Sequence, residues 1–276
     1  TTAAARRAIV VGPESHATAE DALAIGNKNT VASARTYAIG NNINVAEEAN
    51  DSIVMGSSAA AYSGNQINIG TKAGADAAKA SGTTPAANNK YGIAIGFEAG
   101  RYQQGVVGGS AAKNLEAYNT AIGYQSGQYV KGYSNIALGN NAGSGTQDNV
   151  LEARYTVSIG DYAKATKNYA TAIGQGAQAN SVNSVALGLG ANVATNAPDA
   201  LAFGTKAAVG AANAIALGNT AKATKENSIA QGTESITYGK NNVSIGYKAV
   251  SGIETPTASQ TNAFSVSIGN ETEAID

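Results

Sequence analysis

Along most of this chain a small residue sits between two bulky apolar ones, and a glycine closes the triplet. The stretch NYATAIGQGAQANSVNSVALGLGANV (168–193) carries T-A-I-G and, fourteen residues later, V-A-L-G. Aligned on the closing glycine, the motif occurs seventeen times, at Gly12, Gly26, Gly40, Gly56, Gly70, Gly96, Gly109, Gly123, Gly139, Gly160, Gly174, Gly188, Gly204, Gly218, Gly232, Gly246 and Gly269. Nine of the sixteen spacings are 14 residues, three are 16 and one is 13. The remaining 26, 21 and 23 mark insertions near 74–90, 144–154 and 251–262.

Each place in the repeat has a character. The residue before the glycine is bulky and apolar in fifteen of seventeen copies, Gly108 and Gln231 being the exceptions. Three before the glycine, Ile, Leu or Val occurs fourteen times; between the two, Ala occurs ten times. Bulky, small, bulky is a period of two, the mark of a β-strand with two different buried faces. A weaker second strand follows, with Ala or Ser three after the glycine and Ala or Val five after. Asn or Asp often opens the next copy, five before its glycine, and these residues tolerate the left-handed backbone of tight turns.

Two short strands and two turns per repeat cannot bury a core alone, so each repeat must stack on its neighbours. The expected architecture is a parallel solenoid with two strands per coil. Seventeen coils at about 4.8 Å each give a rod on the order of 75–80 Å long. Helix is disfavoured, because Gly and β-branched residues are frequent and no 3.6-residue pattern persists. The bulky row is expected to face the coil interior and the Ala row to face outward. A long flat row of small side chains would be sticky if left wet. Ala24, Ala38, Ala94, Ala121, Ala137, Ala172, Ala186, Ala202, Ala216 and Ala230 are therefore the expected seam of a cyclic homo-oligomer.

Composition narrows the function. The 276 residues carry a net charge of −1 and are only 13% charged, which argues against nucleic acid as a partner. There is no Cys, so disulfides, thiol chemistry and Cys-type zinc sites are excluded together. No run of 18 apolar residues exists, and TTAAARRAIV lacks the apolar core of a signal peptide. If the native protein is exported, this chain is expected to be a piece of it.

The copies NSVALGLGANV, NSIAQGTES and NNVSIGYKA resemble the repeat of YadA-like head domains, which belong to the trimeric autotransporter adhesins of Gram-negative bacteria. The resemblance runs from Ala8 to Gly269. It implies an all-β, left-handed parallel β-roll of about 17 coils, assembled as an intertwined homotrimer. Residues 1–276 then form a single head domain with repeats over 8–269, and 270–276 begin a neck. It also implies a place on the bacterial cell surface, at the outer membrane, through an anchor absent from this chain. The implied work is attachment to host extracellular-matrix protein, a glycan or a receptor on a partner cell. The alternative is a rigid spacer that presents another adhesive tip domain.

Catalytic and metal chemistry find no foothold, and no cofactor is expected. The one histidine, His16, lies four residues after Gly12 in an expected turn, with no nucleophile pattern around it. The carboxylate clusters Glu47–Glu48 and Glu271/Glu273 read as solvated loops rather than acid/base pairs. GQGAQA (174–179) looks like a dinucleotide loop, but the repeat already accounts for its glycines. Tyrosine is the departure from the repeat: nine of thirteen lie between Tyr91 and Tyr169. Coil stacking would align them into ladders, and tyrosine suits adaptable contact surfaces. Tyr91, Tyr102, Tyr118, Tyr124, Tyr129 and Tyr133 are therefore the candidate ligand-binding residues.

Overall fold

The structure is a computed structural model and describes residues 2–3, 5–76, 90–103, 117–254 and 264–274. The expected insertions at 74–90 and 251–262 lie largely outside the described residues. Among those described the chain is all β, a parallel β-solenoid, and it divides into two compact units, Thr1–Arg154 and Tyr155–Asp276.

In the first unit the motif strands stack in chain order. They are Ile9–Val11, Leu23–Asn27, Tyr37–Asn41, Ile53–Ser57, Ile67–Ile69, Ile93–Ile95, Thr120–Ile122 and Ile136–Leu138. Every neighbouring pair is parallel and in motif register, so that Ala24 lies beside Ala38 and Ala94 beside Ala121. The second strands are only two residues long. Thr2–Ala3, His16–Ala17, Thr30–Val31, Asn44–Val45 and Ala60–Ala61 form one row, and Val130–Lys131 pairs with Leu151–Glu152. The insertion at 144–154 closes on itself through paired hydrogen bonds between Thr146 and Asn149, and the coil resumes at Leu151.

The second unit repeats the plan more regularly. Its motif strands are Val157–Ile159, Thr171–Ile173, Val185–Leu187, Leu201–Phe203, Ile215–Leu217, Ile229–Gln231, Val243–Ile245 and Val266–Ile268. Eight two-residue strands, from Lys164–Ala165 to Glu273–Ala274, form the second row.

Among the described residues the motif strands number sixteen, against the seventeen expected coils. Gly109 belongs to 104–116, outside the described residues. Ile93–Ile95 pairs directly with Thr120–Ile122. The Gly109 copy is also the one with Gly108 where nearly all others place a bulky side chain.

The two faces of the motif strand are the reverse of the expected ones. All ten alanines of the expected seam are buried inside their own chain, nine of them at 0% exposure and Ala137 at 4%. They meet the small residues of the second strand across the coil, such as Ala177, Ala179, Val193, Ala207 and Val209. The bulky residues point outward: Ile39, Ile122 and Phe203 are exposed, and Leu187 and Leu217 are partly so. The reason is space. Across the described coils this position holds Ala, Ser, Val and, once, Asn68, and Leu or Ile there would hold the sheets apart. The alanines thus offer no surface to another chain.

Several interior polar side chains find partners within the coil. Ser158 Oγ accepts from the Ala165 amide at 3.0 Å, and Ser244 and Ser251 share a 2.7 Å hydroxyl bond. Asn68 donates to the Ala60 carbonyl at 2.7 Å. The turns are regular as well. Residues five before and two after the motif glycine take φ near +55° in coil after coil, among them Asp21, Lys28, Asn183 and Lys206.

Candidate functional site

Four successive coils of the first unit follow a variant plan that creates the most elaborate surface of the chain. Each carries a second glycine four residues after the motif glycine, at Gly74, Gly100, Gly127 and Gly143. All four have φ between 55° and 62°, so the chain turns early where other coils run on into their second strand. In three of these coils a further left-handed residue follows, Asp76, Tyr102 and Tyr129. Tyr102 and Tyr129 thus sit at turns. The pair A/S-G at 73–74, 99–100, 126–127 and 142–143 was the available signal.

Stacking of these coils lines up their aromatic rings. Tyr91 lies on Tyr118 with ring centroids 5.0 Å apart and planes 7° apart. Phe97 lies on Tyr124 at 5.2 Å, and Tyr102 on Tyr129 at 4.4 Å. Five of the six candidate tyrosines are therefore rungs of ladders. The sixth, Tyr133, has its hydroxyl 3.0 Å from Arg154 Nη1 and the guanidinium near its ring. Outside the candidate set, Tyr155 and Tyr169 of the second unit form a fourth stack at 5.1 Å. The rings of each pair turn their faces to one another, and Tyr91, Tyr118, Tyr124, Tyr155 and Tyr169 remain exposed.

Beside the Tyr102–Tyr129 rung lies an ionic cluster that the linear pattern did not reveal. Glu98, 7% exposed, accepts from Lys72 Nζ at 3.3 Å, Arg101 Nη1 at 2.6 Å, Gln125 Nε2 at 2.9 Å and Gln128 Nε2 at 3.2 Å. Arg101 also donates from Nε and Nη2 to Asp76 and lies 4.6 Å from the Tyr102 ring centre. Arg101 belongs to the coil of Glu98, whereas Lys72, Gln125 and Gln128 lie 26 to 30 residues from Glu98 in sequence and reach it only through stacking. Burial by itself would raise the Glu98 pKa. The hydrogen bonds from Gln125, Gln128 and Lys72, with the charge of Arg101, outweigh it and hold the carboxyl below the ordinary range.

The consequence for pH follows from that direction. Stability from ionised Glu98 is fully present above the unfolded glutamate value and disappears as pH falls through the lower folded value. Glu98→Gln is expected to lose about 2 kcal/mol at neutral pH, the worth of hydrogen bonds to a charged group. The wild type is expected to converge on the variant as the pH drops below about 4.3. Denaturant midpoints measured from pH 7 to pH 3 check both parts, and parallel curves would refute the assignment.

The other sequence candidates are dispersed. His16 and the Glu47–Glu48 pair are exposed. A groove near the start of the first unit is lined by the apolar Ile9, Leu23, Tyr37 and Ile53 and by the charged Arg7, Asp21, Arg35 and Asp51. Its carboxylates are already occupied: Arg7 binds Asp21 and Arg35 binds Asp51, each through two nitrogens. Those hydrogen bonds hold both aspartates below their usual pKa range.

The YadA head domain repeat family matches the chain over residues 3–29, 153–177, 165–191, 196–221 and 223–249. No curated protein matches it. The matched stretches fall in both compact units and carry the motif strand, its closing glycine and the following small residues.

Proposed function

We propose that this chain, a carrier of YadA head domain repeats, is a non-enzymatic head of a trimeric adhesin, displayed on the bacterial surface and exposed beyond the outer membrane. The observation that carries the reading is the outward aliphatic face. In the second unit it runs through Val185, Leu187, Leu201, Phe203, Ile215 and Leu217, every one of them partly or largely open to solvent in the single chain. An apolar strip continued over eight strands is more than a monomer ordinarily leaves wet. The coil interior, made of alanines, is too thin to compensate. Three copies joined through this face would bury it, and the seam then belongs to the bulky rows rather than to the alanines.

Attachment falls to the surfaces that remain. The tyrosine ladders offer rows of ring edges and hydroxyls to a matrix protein, a glycan or a receptor on another cell. Three chains display three copies of every rung, so weak contacts add through effective concentration. One observation favours the spacer reading as a second possibility: the rings spend their faces on each other, which stiffens the stack whether or not a ligand comes.

Leu187→Lys combined with Leu217→Lys is expected to leave β-sheet circular dichroism intact and convert a trimer to smaller species in sedimentation equilibrium. Attachment should fall by about a hundredfold with the loss of multivalency. Tyr118→Ser with Tyr124→Ser should keep the trimer and weaken attachment. A wild-type chain that sediments as a monomer overturns the seam. Unchanged attachment by the tyrosine variant favours the spacer.

A further inference from the structure

We propose that the stacked tyrosine pairs Tyr155–Tyr169 and Tyr91–Tyr118 are oxidative cross-linking sites, where peroxide and a haem peroxidase join neighbouring coils of one chain through a ring-to-ring carbon–carbon bond. The geometry is in place before any reagent arrives. The centroids are 5.1 and 5.0 Å apart, and the planes diverge by 11° and 7°. All four residues stand five before a motif glycine, and their φ values of 56°, 61°, 63° and 47° place each in a tight turn rather than on a free loop. In-register stacking holds one ring over the next. Both pairs are also reachable, since the four side chains are 38–51% exposed.

Composition directs the oxidation to these rings. The chain has no Cys, no Trp and a single Met. Phenols are therefore its main one-electron donors, and a tyrosine bridge is the covalent link open to a chain that cannot form a disulfide. The other two stacks are poorer sites. Phe97 brings no phenol to Tyr124. Tyr102 and Tyr129 stand closest, but Arg101 lies against the Tyr102 ring, and burial raises the Tyr129 pKa and opposes proton loss.

The chemistry balances. The peroxidase removes one electron and one proton from each phenol and leaves two phenoxyl radicals with spin density on the Cε carbons. The radicals couple through one Cε of each ring, and each coupled carbon then sheds its hydrogen to the phenolic oxygen as the ring regains aromaticity. One peroxide accepts the two electrons and two protons and becomes two waters. The product lacks two hydrogens. At Tyr155–Tyr169 the new bond closes a 14-residue loop, one coil of the solenoid, so that this coil can no longer peel away from the next. The geometry is that of the single chain and holds whatever the surface binds.

The experiment treats the purified chain with hydrogen peroxide and a haem peroxidase, followed by tryptic digestion and mass spectrometry. Lys164 and Lys167 separate Tyr155 from Tyr169, and Arg101 and Lys113 separate Tyr91 from Tyr118, so each bridge yields a joined peptide pair. Joined 155–169 and 91–118 peptides, two hydrogens lighter than their sum, are expected together with dityrosine fluorescence. Tyr169→Phe keeps the ring stack and should abolish the first product while leaving the second. Tyr155→Phe, read the same way, guards against a folding defect in the first variant. Oxidised wild type should unfold about tenfold more slowly than the oxidised Tyr91→Phe/Tyr155→Phe protein. The proposal is overturned if coupling occurs only between chains or only at exposed, unstacked Tyr162, if the yield is no higher than in urea-unfolded chain, or if the 155–169 product survives in Tyr169→Phe.

Discussion

Gly188→Ala is expected to destabilise the protein by roughly 4 kcal/mol, more than any surface substitution in the same coil. Gly188 has φ +134°, a backbone region that is essentially reserved for glycine. A Cβ there would lie 2.5 Å from the carbonyl oxygen of Gly204 and 2.6 Å from its carbonyl carbon. Those atoms are backbone of the next coil, fixed by the Gly204 amide bond to the Leu187 carbonyl at 2.8 Å, and cannot swing aside as a side chain would. The methyl must push two coils apart or force the turn out of shape. Gly176→Ala is the control two residues beyond the preceding motif glycine. Its φ is +64° and nothing lies within 4 Å of the added carbon, so the expected cost is about 1 kcal/mol, that of a left-handed alanine. Guanidinium midpoints for the two variants decide the matter: equal losses would mean that the close glycine stack does not limit stability.

Ala202→Leu is expected to cost about 3 kcal/mol and to loosen the local stack. Ala202 is 0% exposed, with Ala186 on one side and Ala216 on the other in strict register. It faces an interior built of Ala207, Val209 and other small residues. A leucine adds three carbons where close packing leaves no room, and the displacement would pass to both neighbouring coils. The outward neighbour forecasts the opposite. Leu201→Ala removes the same three carbons, yet in an isolated chain it should cost under about 1.5 kcal/mol, because the side chain is already partly in water. Its larger effect should fall on association. Thermal unfolding and sedimentation of the two variants separate coil interior from seam. Tolerance of Ala202→Leu together with unfolding by Leu201→Ala would restore the inside-out arrangement.

Those two adjacent residues mark the boundary of what the sequence could show. A period of two states that neighbouring side chains lie on opposite faces, but not which face is inside. Sidedness was inferred from the rule that bulky apolar residues are buried, and here the rule fails because 14 residues close too small a loop to hold them. Spacing alone also does not name stacking partners: Ile93 pairs with Thr120, 27 residues on, while the Gly109 copy lies outside the described residues.

The candidate surface was legible in the same uneven way. Tyr91 and Tyr118 recur at one repeat position, which was enough to foresee their stacking. Phe97 shares a position with Tyr124, one after the motif glycine, and their stack was equally legible once phenylalanine is counted with tyrosine. Lys72, Glu98 and Gln125 also share one repeat position, two after the motif glycine, and Arg101 and Gln128 share another, five after it, so their proximity was legible in the spacing while the hydrogen bonds between them were not.

By itself, then, the sequence determined the strand–turn rhythm, the parallel stacking, the left-handed turn positions and the ladders, because each follows from local residue preference repeated at constant spacing. Only the tertiary structure decided which face closes inward, which copies stack and which charges meet, because those depend on the width of a closed coil and on pairings between residues remote in the chain.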